Sequence, residues 1–274
     1  MKVTCVVDNA AKRSSRFWGE HGLAFLIEAE GKCILFDTGQ SGEVLLHNLD
    51  ELGVKPQEIE ALALSHAHYD HTGGLEALLK RASGLSIFAH PDFFRERFSR
   101  HGERVEFIGP PLTREALAER AELHLSAKPV EIIPGVWTTG EIAPRPEPEG
   151  RSARHLVRTN GGWKPDPYKD DMALVLKTEQ GLVVICGCCH AGLLNTLAHV
   201  QRAFEGEIAA VAGGFHLVDA DEVQLRHTIE TLKAYSPLQL YPNHCTGERA
   251  YVALAVAFGE NVAPCPAGTM LNFP

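Results

Sequence analysis

The sequence predicts a mixed α/β fold in which helices cover mixed β-sheets. Short β-branched runs in the first third are separated by tight turns and read as hairpins. In the second half such runs alternate with segments of helical spacing. Hydrophobic residues make up 45% of the 274-residue chain and charged residues 22%, enough for a sizeable core without staples.

Residues 3–7 form a short β-branched run, and residues 23–28 and 32–36 flank Glu30-Gly31, a hairpin turn. Asp37-Thr38-Gly39 ends the second strand of that pair. Residues 43–52 carry Val44, Leu45, Leu49 and Leu52 at helical spacing, with Gly53 as a stop and Pro56 just beyond. A short apolar strand at 61–64 and a helix at 75–81 follow. Residues 91–169 are less regular, rich in proline, with a charged helical stretch at 113–123. We read them as a surface excursion from a single domain spanning 1–274, and such loops carry specificity. Order returns at 172–178 and 182–186, a hairpin with Gly181 in its turn. Helices at 193–204 and 221–235 then alternate with strands at 208–212 and 238–241. Those strands lead into Gly213-Gly214-Phe215-His216 and Pro242-Asn243-His244-Cys245.

A formal net charge of −9 gives no general attraction to nucleic acid, which weakens a nuclease reading while leaving room for a local basic patch. Seven cysteines, an odd number in a long chain, fit reduced thiols better than a disulfide scaffold. The N-terminus reaches Asp8 and Asn9 too soon for a signal peptide, and no apolar run approaches the ~20 residues of a membrane span. A cytoplasmic protein without a membrane partner is the expectation.

The strongest chemical signal is Ser65-His66-Ala67-His68-Tyr69-Asp70-His71-Thr72-Gly73-Gly74, between the strand at 61–64 and the helix at 75–81. In extended chain, residues two apart point the same way, so His66 and His68 can grip one metal ion. Asp70 and His71 lie where the chain turns and can face a second ion. Imidazole and carboxylate suit zinc, iron or manganese. One such histidine is ordinarily a satisfied core residue, but three with an aspartate in six residues are not explained that way.

His66-x-His68-x-Asp70-His71, preceded by Phe36-Asp37-Thr38-Gly39, resembles the signature of the metallo-β-lactamase superfamily. The resemblance implies a four-layer αββα sandwich with two mixed sheets and a binuclear site at one edge. It makes Asp37 a buried group that orients ligands, against a plain turn residue. Gly187-Cys188-Cys189-His190-Ala191-Gly192, Gly213-Gly214-Phe215-His216-Leu217 and His244-Cys245-Thr246-Gly247 resemble a dihydropterin ribofuranosyl-aminobenzene phosphate synthase branch, as do Glu20-His21-Gly22 and Thr139-Gly140-Glu141-Ile142. Better-known members place an Asp or a Cys after the glycine of the fourth motif. Here we prefer His190 as the ligand, with Cys188 as the runner-up and otherwise an inert thiol beside the site. The implied ligand sets are His66, His68 and His190 for one ion, and Asp70, His71 and His244 for the other. His216 is placed with Asp70 as catalytic, through a proton or a substrate oxygen, with metal binding or a structural role as alternatives.

Two divalent ions, zinc first and iron or manganese as alternatives, imply a hydrolase or related synthase that turns a metal-bound hydroxide on a phosphate- or pterin-containing small molecule. No Ser-His-Asp elbow, Walker loop or dinucleotide fingerprint competes with this. Arg145, Arg151, Arg154, Arg158 and Lys164 are candidates to meet a phosphate, although a solvated face explains them as well. Trp163 and Tyr168 can stack on a ring or pack the loop. The alternatives are an iron-dependent oxygen or sulfur redox enzyme and a metal-containing sensor without turnover. The remaining histidines, among them His90, His101 and His155, have no comparable context.

Overall fold

The computed structural model describes residues 1–235 and 238–274. The chain runs β1 (Lys2–Val7), β2 (Ala24–Ala29), β3 (Lys32–Phe36), α1 (Gly42–Glu51), β4 (Ile59–Ala63), α2 (Tyr69–Thr72), α3 (Leu75–Leu79) and β5 (Leu85–Ala89). The middle contributes β6 (Arg97–His101), β7 (Arg104–Phe107), α4 (Arg114–Ala118), β8 (Ala121–Leu125), β9 (Val130–Ile133), β10 (Val136–Thr138), β11 (His155–Thr159) and β12 (Gly162–Pro165). The last third contains β13 (Ala173–Thr178), β14 (Gly181–Cys186), α5 (Leu193–Ala203), β15 (Ile208–Gly214), α6 (Glu222–Leu232), β16 (Gln239–Asn243), α7 (Glu248–Phe258) and β17 (Met270–Asn272).

Two large mixed sheets pack face to face, ordered β17-β1-β2-β3-β4-β5-β8 and β16-β15-β14-β13-β10-β9. Phe25, Ile27, Ile34 and Phe36 of the first meet Leu174, Leu176, Val183 and Ile185 of the second. Alternate residues of the first sheet, Leu26 and Leu35 among them, turn outward to Leu45 and Leu49 of α1 and Leu75 and Leu78 of α3. The second sheet turns Val175 and Val184 outward to Leu197, Leu225 and Leu254 of α5, α6 and α7. Four layers result, and strands buried on both faces need the near-continuous apolar runs seen in β2, β3 and β14.

Residues 91–169 are more ordered than their composition suggests. β6, β7, β11 and β12 form a third, four-stranded antiparallel sheet, β8 joins the first large sheet, and β9 and β10 join the second. The helix predicted at 113–123 stops at Ala118, and Ala121–Leu125 is a strand. Ala121, Leu123 and Leu125 pack against the outer core of the first sheet, a period of two beneath the charged composition.

The functional loops share one origin. β3, β4, β5 and β8 are parallel, as are β14, β15 and β16. Asp37, His66, His190, His216 and His244 follow the C-terminal ends of β3, β4, β14, β15 and β16. Layered α/β folds gather ligands at such ends. No helix of the described residues is long and apolar enough to cross a membrane.

Candidate metal centre

His66 and His68 leave β4 in extended chain, with Ala67 between them turned into the core. His66 Nε2 lies 3.1 Å from His68 Nδ1, and His190 Nε2 lies 3.2 Å from the same atom. Asp70 and His71 sit in the short helix α2, where the turn redirects their side chains. His71 Nε2 is 3.2 Å from His244 Nε2 and 3.7 Å from Asp70 Oδ2, and His244 Nε2 is 3.3 Å from that oxygen. The structure thus brings all six sequence-predicted ligands into two adjacent trios. A Cβ on Gly73 would run into the Gln40 carbonyl, so glycine is what lets α2 approach this closely.

The donor set suits divalent metal. Donors bound at about 2.0–2.2 Å from one ion stand about 3.0–3.5 Å apart in tetrahedral or octahedral arrangements, and most spacings in both trios match. The outward ring nitrogens of four of the five histidines are also committed, while His68 faces the trio through Nδ1 and its outward Nε2 is buried without a partner among the described residues. His66 Nδ1 meets Ser65 Oγ at 2.8 Å, His71 Nδ1 meets Asp37 Oδ2 at 2.7 Å, His190 Nδ1 meets the Gly150 carbonyl at 2.7 Å, and His244 Nδ1 meets Asn9 Oδ1 at 2.9 Å. A proton held on each of those four Nδ1 atoms leaves Nε2 with a free lone pair facing the centre. Only neutral imidazole binds metal, and burial, then the neighbouring groups, pushes His66, His68 and His190 well below the usual histidine range. Burial opposes ionisation of Asp70, but His71 and His244 outweigh it and hold the carboxyl well below its usual range, and against burial Asp70 and Cys245 in turn raise His244 to about 9, so His244 has to release a proton to bind an ion.

The support is itself supported. Asp37 is fully buried and accepts hydrogen bonds from the Ser65 N–H at 2.7 Å and hydroxyl at 2.6 Å besides facing His71. Asp170 and Asp171, outside the lining of the cleft, are both buried. Asp170 Oδ2 accepts from the Ala67 N–H at 2.9 Å and Asp171 Oδ2 from the Ala191 N–H at 2.7 Å, so each anchors the backbone beside a candidate ligand. Tyr168 stacks flat on His190, centroids 4.2 Å apart and planes 15° from parallel. It is packed against protein, not open to a ligand ring. Of seven non-glycine residues with positive φ among the described residues, five are Asp37, Tyr168, Cys189, His216 and His244, strained positions concentrated around the centre.

Cys188 is closer to the chemistry than an inert thiol. Its Sγ lies 3.1 Å from His71 Nε2, and its sulfur groups with donors of both trios. His190 and Cys188 therefore both face the centre. His216 groups with Cys188 and His190, its Nδ1 buried with no hydrogen-bond partner among the described residues. His216→Ala is expected to keep both ions and lose turnover by ~10²-fold or more, the scale of a lost proton donor or acceptor. Metal analysis and kinetics on that variant decide it, since loss of an ion would make His216 a ligand.

A cleft of about 840 Å³ opens over the trios, and β6 and β7 and the loop into β11 supply one wall. Ser99, His101, Phe107, Arg154 and His155 line it, as do His21, Tyr69 and Cys245. His101 and His155 thus do have a context, one that their distance along the chain from the motif concealed. Burial first, then His216 and Arg154, brings His155 down to about 4. Of the five cations singled out in sequence, only Arg154 lines the cleft. Arg145 instead ties the carbonyls of Ile142, Pro167 and Tyr168, and Trp163 packs edge-on against Phe98.

Comparison with known proteins agrees with this geometry. The chain is 33% identical, over all of its length and 97% of the relative's, to the 7,8-dihydropterin-6-methyl-4-(β-D-ribofuranosyl)-aminobenzene-5′-phosphate synthase of Methanocaldococcus jannaschii. The crystal structure of Tm1679, described as a metal-dependent hydrolase of the β-lactamase superfamily, superposes with a TM-score of 0.85 at 28% identity, covering 99% of this chain and 98% of that one. Zn²⁺-bound PqqB from Methylobacterium extorquens shares the fold at a TM-score of 0.61 and 11% identity, over the whole of both chains. With the model of the metallo-β-lactamase superfamily matching residues 18–189 as well, the chain belongs to that superfamily.

Proposed function

We propose that the protein is a binuclear metal-dependent enzyme, a hydrolase or related synthase, acting on a small molecule that carries a phosphate or a pterin-like ring. The observation that carries the reading is the pair of trios at and just beneath the floor of the cleft, four of their five imidazoles oriented by outer hydrogen bonds. Divalent ions, if held by these residues, would supply an activated water and Lewis-acid polarisation of an acyl or phosphoryl group. The protein's own groups position the rest. Asp70 is kept ionised, and Arg154 on the cleft wall has no salt bridge among the described residues, which suits a phosphate group. Tyr69 and Phe107 present exposed aromatic surface beside it for a ring. The phosphate in the name of the Methanocaldococcus relative's product is consistent with this.

Elemental analysis and turnover test the reading together. The purified protein should hold two ions per chain, zinc first, and lose activity on chelation. Asp70→Ala should bring the content to about one ion by emptying the position shared with His71 and His244, whereas His190→Ala should empty the other. Equal loss from both positions in either variant, or no loss, overturns the assignment.

The thiol of Cys188 at 3.1 Å from His71 Nε2 favours a second reading, an iron-dependent redox enzyme on the same frame. A coloured, iron-containing preparation that turns over only with an electron donor and acceptor would replace the first reading with it.

A further inference from the structure

His21 belongs to neither trio. It stands on the rim of the cleft, yet its Nε2 lies 3.3 Å from Asp70 Oδ2, the same separation as His244 Nε2 from that oxygen. Its ring centroid is 5.3 Å from that of His244, and donor atoms of His21, Asp70 and His244 all fall within 4.8 Å of one another. Three imidazoles, those of His21, His71 and His244, thus converge on one carboxylate oxygen. A lone carboxylate oxygen does not need three such partners. Donors around a shared cation take this arrangement, with neighbours about 3.0–3.5 Å apart.

The backbone is built to hold His21 there. On one side, Glu20 Oε1 accepts from the N–H groups of Gln40 at 3.1 Å and Ser41 at 2.9 Å. On the other, the Leu23 N–H donates to the Asp70 carbonyl at 3.2 Å. Gly22 between them has φ +145°, and a Cβ there would lie 2.5 Å from the Asp70 carbonyl oxygen and 2.8 Å from the Gln40 nitrogen. Only glycine lets the segment press this closely on the helix that carries Asp70 and His71. The ring it presents is half exposed and packs in no apolar cluster of the core.

We propose that His21 is a fourth protein ligand, with Asp70, His71 and His244, to the second ion. The proposal rests on the two-ion reading above and adds to it. The side chains of His71 and His244 are 0% and 1% exposed, whereas that of His21 is 54% exposed. His21 is therefore the one member of the set free to swing aside, which lets it yield its coordination position to an entering substrate.

Titration of the metal-free protein with Co²⁺ and with Zn²⁺ tests this without reference to turnover. In His21→Ala and in His21→Gln, which keeps bulk and polarity without the imidazole, the position that Asp70→Ala empties should lose affinity by at least ~10–100-fold, the scale of lost ligand support. The other position should be unchanged, and the visible absorption of the Co²⁺ form should change as a nitrogen donor is lost. Affinity and spectrum identical to the parent protein in both variants overturn the role of His21 and leave the two-ion reading standing. Uptake of fewer than two ions by the parent protein itself overturns both.

Discussion

Replacing Arg97 by methionine is expected to cost ~3–5 kcal/mol of stability, the penalty for removing one partner of a buried ionic group. Arg97 is 0% exposed. Its guanidinium stands 2.9 Å from Asp166 and 2.5 Å from Asp170, reaches Asp92 at 3.4 Å, and bonds the carbonyls of Phe93 and Arg95. Methionine fills the stem's volume and leaves the carboxylates without their cation. Burial first, then the charges of Asp166 and Asp171, push Asp170 up to about 7 against the pull of Arg97. A carboxyl whose folded pKa exceeds its unfolded value stabilises below the unfolded pKa and loses that contribution as pH rises through the folded value. In the parent protein this group therefore withdraws stability between about pH 4 and about pH 7. Without the guanidinium Asp170 is pushed higher still, so the variant's deficit should be largest near pH 8 and shrink toward pH 5. Urea denaturation of the metal-free protein at those two pH values measures this. A deficit below ~1 kcal/mol, or one equal at both pH values, would show that the carboxylates do not depend on Arg97.

The second large effect is expected at Asp37, where two variants separate charge from shape. Asp37→Ala leaves the buried Ser65 N–H unpaired, at ~1–3 kcal/mol, and frees the His71 ring. Asp37→Asn is isosteric and can still accept from the Ser65 N–H. It cannot accept from both the Ser65 hydroxyl and the His71 Nδ1–H through the position of Oδ2, where an amide nitrogen now donates. His71 is then driven to the tautomer with its proton on Nε2, facing the metal. Both variants should therefore lose ~10–100-fold or more in affinity for the second ion, while only the alanine variant loses much stability. Normal metal affinity in Asp37→Asn would mean that the carboxylate does not set the tautomer of His71.

The two sheets were legible in sequence because buried strands and capped helices leave local marks. Val3–Val7, Glu30-Gly31 and the run from Leu182 to Cys186 each declare their backbone without knowledge of a partner. The third sheet was not legible. Arg97–His101 and Arg104–Phe107 carry two or three charges apiece, and their register is set by pairing with each other and with His155–Thr159, far along the chain. Proline and charge in that region reflect a sheet with one wet face, which composition alone does not distinguish from irregular loop.

Helix-covered mixed sheets and the core of the centre were legible in the residues themselves, whereas the four-layer arrangement followed only from the family resemblance. His66, His68, Asp70 and His71 lie within one extended segment and one helical turn, where backbone periodicity sets the direction of each side chain. Only the tertiary structure decided what surrounds them. It brought the Cys188 thiol between the two trios, set His21 against Asp70, placed His101, Arg154 and His155 on the cleft wall, and ran Arg97 through Asp170 to the backbone of Ala67. These residues carry no common spacing, since each leaves a different strand or hairpin. Their meeting depends on sheet order and on where each loop crosses the strand ends, which no local pattern encodes.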